Sequence, residues 1–133
     1  MPELSFDVVQ RYDSDDGIKI PLKIFCGGQE AETSGYVDCG ASECVFRNEL
    51  GLMLGLQIET GEPKLFSPAS GGTLATYGHL VTLEFFGIAF ESMVYFAKYP
   101  GLQRNLLGRN GWLRKLFFGL VESDNTVYLS PLS

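Results

Sequence analysis

Asp38 is the residue that its neighbours best equip for chemistry. It follows the apolar pair Tyr36-Val37 and precedes Cys39-Gly40-Ala41-Ser42. A carboxylate at a strand end, followed by glycine and small residues, sits in a tight turn whose backbone amides approach it closely. Hydrogen bonds donated to a carboxylate favour its ionised form, the state that a general base requires. Taken alone, these residues also fit an ordinary strand-to-turn aspartate.

The other reactive side chains are sparse. His79 is the single histidine, and a zinc site needs several His or Cys ligands at close spacing. Cys39 and Cys44 do not form a C-x-x-C pair and Cys26 stands apart, so no metal and no other cofactor is expected. A nucleophile pair between Cys39 or Cys44 and His79 can be drawn, but buried cysteines and a surface histidine are the plainer reading. Gly71-Gly72 lacks the lysine and the strand-to-helix setting of a phosphate loop.

Further motifs stand around Asp38 in a definite order. Leu54-Gly55-Leu56 follows it, then the small-residue segment Pro68-Ala69-Ser70-Gly71-Gly72 between two strand-like runs, then Asn105-Leu106-Leu107-Gly108-Arg109-Asn110-Gly111. With this set the chain resembles the single-lobe aspartic peptidases, the retropepsin-like family, and particularly their bacterial members. In that family an apolar strand enters D-[TS]-G-A. A short helix ending in L-G-L, a glycine-bearing flap hairpin, and an apolar pair with G-R-[DN] follow. The resemblance runs from about Ile18 to Leu129.

The resemblance implies an aspartic endopeptidase with Asp38 as the catalytic carboxylate and Cys39, Gly40 and Ala41 as its loop. Family members use two facing aspartates, and this chain has no second Asp-[Thr/Ser/Cys]-Gly. One Asp38 from each of two identical chains would then form the site, on the axis of a homodimer. By the same resemblance Ala69, Ser70, Gly71 and Gly72 form a flap tip over a peptide or protein substrate, and Leu106 a pocket wall. Gly40 accepts backbone hydrogen bonds from an extended peptide. Arg109 supports the active-site loop or the interface, with Glu43 as its candidate acidic partner. The terminal strand Thr126–Ser130, with the N-terminal strand, would build the dimer sheet. The sequence departs from the family at Cys39, where a threonine or serine is usual. That substitution favours a second reading, a dimeric peptide-binding or scaffold module without turnover.

These residues need elements to hold them. Sixteen glycines divide the chain into short apolar pieces that read mostly as strands. Strands are expected at Phe6–Val9, Ile18–Phe25, a stretch ending at Tyr36-Val37-Asp38, Lys64–Ser67, Thr73–Phe85, Phe90–Phe96, Leu116–Glu122 and Thr126–Ser130. Pro21 suggests an edge or a bulge. Leu50, Met53 and Leu54 fall on one face of a short helix, capped by Asn48 and ended by Gly55. A second short helix is expected over Asn110–Lys115, with Asn110 as its cap. The sum is an all-β, or mostly-β, single domain over residues 1–133. The resemblance implies a closed, barrel-like acid-protease lobe with one or two short helices.

Composition agrees with this class. The chain has 133 residues, 45% of them apolar, enough for one core. Ten basic against sixteen acidic residues argue against nucleic acid or an anionic membrane surface as partner. No apolar run approaches the roughly 18 residues of a membrane helix. Met1–Ser5 has no basic or apolar signal region, and three cysteines suit a reducing compartment, so a cytoplasmic location is expected.

Overall fold

The computed structural model describes residues 5–13 and 15–132. In chain order its strands are β1 (Val8–Arg11), β2 (Lys19–Cys26), β3 (Gln29–Val37), β4 (Cys44–Phe46), β5 (Glu62–Phe66), β6 (Leu74–Phe85), β7 (Ile88–Ala97), β8 (Asn105–Leu107), β9 (Leu116–Val121) and β10 (Thr126–Pro131). One α-helix, α1 (Asn48–Met53), follows β4, and single 3-10 turns occupy Ile58–Thr60, Leu113–Lys115 and Glu122–Asp124. No helix among the described residues is long and apolar enough to cross a membrane.

Strands β2-β3-β8-β4-β7-β6 form a sheet that closes on itself, because β2 also pairs with β6 through Lys23–Phe25. Alternation drives the closure. Ile20, Leu22 and Ile24 of β2, Val81, Leu83 and Phe85 of β6, and Val94 and Phe96 of β7 recur at every second position and are buried together. Pro21 lies in the part of β2 that has left β6, where a missing N–H costs no ladder bond on that side. β5 stays outside the barrel, paired only with β6, and the β5–β6 hairpin projects from it. The tight turn of the β6–β7 hairpin falls at Phe86-Gly87, both with positive φ.

The chain termini form a separate three-stranded sheet, β1-β10-β9. The first strand begins at Val8 rather than Phe6, and the Phe6 ring packs on Tyr128 at 5.7 Å between centroids.

Both helices differ from the expectation. In α1 the buried face is Leu50, Gly51 and Leu54, while Met53 is exposed. A Cβ on Gly51 would lie 2.9 Å from Ile58 Cδ1 and 3.0 Å from Phe96 Cδ1, so the glycine is what lets α1 press onto β7. Asn48 is the first helical residue rather than the cap. Its buried amide donates to the carbonyls of Ala97 and Lys98. The other end follows expectation: Gly55 has φ +74°, its N–H donates to Leu52 O, and Leu56 N–H donates to Gly51 O, a Schellman cap. The second helix reduces to the 3-10 turn Leu113–Lys115. Its flanking residue is Trp112, and Asn110 does not cap it.

Candidate active site

β3 delivers Asp38. It runs parallel to β8, with Tyr36 opposite Leu106 and Val37 opposite Leu107, and Asp38 N–H continues the ladder to Leu107 O at 3.0 Å. The chain then folds back on the carboxylate. Gly40 N–H donates to Asp38 Oδ1 at 2.9 Å, and Ala41 N–H donates to Asp38 O at 3.1 Å. This is the close amide approach that small residues after Asp38 permit. One carboxylate oxygen is held by an amide, and the other accepts no hydrogen bond among the described residues.

The G-R-N turn clasps the far side of the loop. Arg109 N–H donates to Ala41 O at 2.9 Å and Asn110 N–H to Ser42 O at 2.8 Å. Arg109 therefore supports the loop through its backbone; its side chain is exposed and makes no ion pair among the described residues. Glu43, the candidate partner of that arginine, is engaged elsewhere. Its Oε1 accepts from Asn110 Nδ2 at 2.8 Å and lies 3.5 Å from Lys64 Nζ. Lys64 belongs to β5, and its ammonium sits over the rings of Phe66 and Tyr95, 5.4 Å from each centroid. One carboxylate thus ties together the Asp38 loop, the G-R-N turn and the base of the β5–β6 hairpin.

Asp38, Gly40 and Ala41 border a cleft of about 950 Å³. Phe66–Ser70 and Thr73–Ala75 of the hairpin form one wall, and Leu106 contributes to the lining. Of the four expected tip residues, Ala69 and Ser70 line the cleft; Gly71 and Gly72 form the turn beside them, with φ of +96° and +74°. Cys39 is exposed and does not line the cleft. Cys44 is buried, and burial pushes its thiol up to about 12, which leaves it no thiolate with which to attack. The His79 ring nitrogen is spent on Ile58 O at 2.8 Å. Among the described residues no three His, Cys, Asp or Glu side chains converge to hold a metal ion.

The remaining wall was not anticipated. The segment Tyr99–Arg104, of which only Tyr99-Pro100-Gly101 reads as a loop in the sequence, lines the cleft throughout. A usable signal was its position immediately before Asn105-Leu106-Leu107, since a connection ending at the pocket floor must pass the pocket rim.

No protein-family model and no curated protein matches the sequence. Among solved structures the chain is similar to "EIAV protease complexed with the inhibitor HBY-793", with a TM-score of 0.55 and 18% identity over 74% of this chain and 86% of that one. The likeness shows the fold: a retropepsin-like, mostly-β lobe closed into a barrel and carrying one α-helix. It is to a retroviral protein and does not single out bacterial members of the family.

Proposed function

We propose that the chain is an aspartic endopeptidase that works as a homodimer, with one Asp38 from each subunit. The observation that carries this reading is the setting of Asp38. It follows a barrel strand, is held by Gly40 N–H, and borders a cleft of about 950 Å³ whose wall includes residues of the β5–β6 hairpin. The retropepsin-like fold supports it.

The chemistry follows from pairing two such groups. Two carboxylates a few ångströms apart cannot both ionise cheaply, so they share one proton. The ionised one removes a proton from a water held between them. The protonated one donates to the oxygen of the peptide carbonyl. The water oxygen bonds to the carbonyl carbon and gives a tetrahedral gem-diol. Proton transfer to the nitrogen then lets the C–N bond break, releasing a carboxylic acid and an amine. The substrate lies as an added strand, its backbone engaging Gly40 and its side chains filling pockets alternately. The hairpin closes over it and excludes water. Three free cysteines suit action in a reducing, cytoplasmic setting.

A second reading rests on Cys39. A thiol donates and accepts hydrogen bonds weakly, so a dimer held loosely beneath its aspartates would bind peptides without cleaving them. Incubation with a library of apolar peptides separates the two. The peptidase reading expects cleavage that a statine-type transition-state mimic inhibits and that Asp38→Asn abolishes with the fold intact. Binding without cleavage would transfer the protein to the second class, and undiminished cleavage by Asp38→Asn would refute the aspartic mechanism.

A further inference from the structure

Two charged side chains line the cleft among the described residues, Asp38 and Arg104. Arg104 is tethered to Tyr36 and Asp16. Its guanidinium carbon lies 4.0 Å from the centroid of the Tyr36 ring. Its Nη1 donates to the backbone carbonyl of Asp16 at 3.0 Å and its Nη2 to Asp16 Oδ1 at 2.8 Å. The Tyr36 hydroxyl donates to the other oxygen, Asp16 Oδ2, at 2.9 Å.

The hydrogen-bond count is one-sided. Both carboxylate oxygens of Asp16 are taken, and neither Asp16 nor Tyr36 lines the cleft. A guanidinium has five N–H donors and no acceptor. Asp16 uses two of them, which leaves three on the one member of the cluster that borders the cleft. The surrounding wall mixes apolar side chains, Val45, Leu74 and Leu106 among them, with the neutral polar groups of Ser70, Thr73 and Gln103. The cleft therefore offers the spare donors of a tethered guanidinium among apolar and neutral polar groups.

We propose that Arg104 is a specificity-determining residue that receives a carboxylate, an Asp or Glu side chain of an extended peptide, close to the bond over Asp38. The substrate class is then an apolar segment carrying one acidic residue. The stacked and tethered guanidinium loses little freedom on binding, so its charge-assisted hydrogen bond is realised nearly in full. A lysine or arginine at the same peptide position meets like charge and is rejected. The inference rests on the peptide-binding reading of the cleft but not on turnover.

The test uses the full chain carrying Asp38→Asn, so that hydrolysis is not needed. Fluorescent peptides of one apolar sequence carry Glu, Gln or Lys in turn at each position, and binding is read by anisotropy. At one position Glu binds about tenfold more tightly than Gln, and Lys more weakly than Gln. Adding Arg104→Met brings the Glu/Gln ratio to about one, and Arg104→Glu reverses the preference toward Lys. Asp16→Asn, which keeps the guanidinium, retains or raises the Glu preference, and it covers the case in which an Arg104 variant fails to fold. A Glu/Gln ratio near one at every position overturns the proposal, as does a ratio that Arg104→Met leaves intact. Either would make the pair with Asp16 a latch alone. Absence of peptide binding also overturns it. A Glu preference in binding by a protein that never cleaves would leave this inference standing and remove only the peptidase reading.

Discussion

Gly108 and the backbone of Glu43 touch so closely that a Cβ on Gly108 would lie 2.1 Å from the Glu43 carbonyl oxygen and 2.8 Å from that of Ala41. The glycine of the G-R-N motif is therefore a steric condition for its function. Only a residue without a side chain lets the turn close on the Asp38 loop and make its two amide hydrogen bonds to Ala41 and Ser42.

Gly108→Ala should cost about 3 kcal/mol, because the neighbouring atoms are backbone and cannot rotate aside. Urea unfolding checks this through the transition midpoint, and activity should fall further than stability as the loop is displaced. A loss below about 0.5 kcal/mol, the range of an ordinary surface substitution, would show that the clasp is looser than described.

Glu43 and Lys64 form a partly buried ion pair at 3.5 Å, and Glu43 also accepts from Asn110. Lys64→Met should cost about 0.5 kcal/mol, as partly solvated pairs do. Glu43→Ala should cost about 1 kcal/mol, since it also removes the hydrogen bond from the exposed Asn110 amide, which water then takes up. The double variant should show a coupling of about 0.5 kcal/mol in denaturant titrations. Hydrogen exchange in β5 should quicken in both single variants, because the pair fastens the hairpin base. Unaltered exchange in β5 would mean that the pair fastens nothing.

Much of this arrangement was legible in the sequence, and the exceptions share a cause. The strand runs at Ile18–Phe25, Thr73–Phe85 and Phe90–Phe96 and the cap at Gly55 are local signals, and the chain obeys them. The Asn110–Lys115 helix failed because Trp112 is drawn fully into the core between Phe85 and Phe118, leaving room for one 3-10 turn. Met53 left the buried face because Gly51, the weak helix former, is the residue that packs. Arg104 carries no local mark at all, since its partner Asp16 lies 88 residues away. The Glu43 carboxylate went to Asn110 and Lys64 instead of Arg109 because the latter's backbone, not its guanidinium, faces the loop.

The cysteines should differ in reactivity. Exposed Cys39 should be alkylated by iodoacetamide in the native monomer, whereas buried Cys44 should react only on unfolding. Burial raises the Cys44 thiol from 9.0 to about 12. Its folded-state value is the higher one, so its contribution to stability is complete below about pH 9 and is lost as pH rises toward 12. Cys44→Ala should flatten that alkaline decline. Peptide mapping of labelled protein and unfolding curves from pH 7 to 10 check both statements. Early labelling of Cys44 would contradict its burial.

Cys39→Thr replaces a weak thiol by a hydroxyl that both donates and accepts well. Across a two-fold axis the pair should contribute about 2 kcal/mol, a dimer dissociation constant about thirtyfold lower. Sedimentation equilibrium and cleavage rates of the two forms provide the comparison. A weaker dimer with slower turnover would refute an interlocking role for position 39.

In the proposed dimer two Asp38 residues, one from each of two chains, make a single site. Mixing wild type with Asp38→Asn at constant total protein, allowing subunits to exchange, and measuring hydrolysis tests it directly. If only wild-type pairs are active, the rate falls as the square of the wild-type fraction, and an equal mixture retains about one quarter of the activity. A linear fall, with about one half remaining, would mean that each chain carries a complete site of its own and would contradict the account.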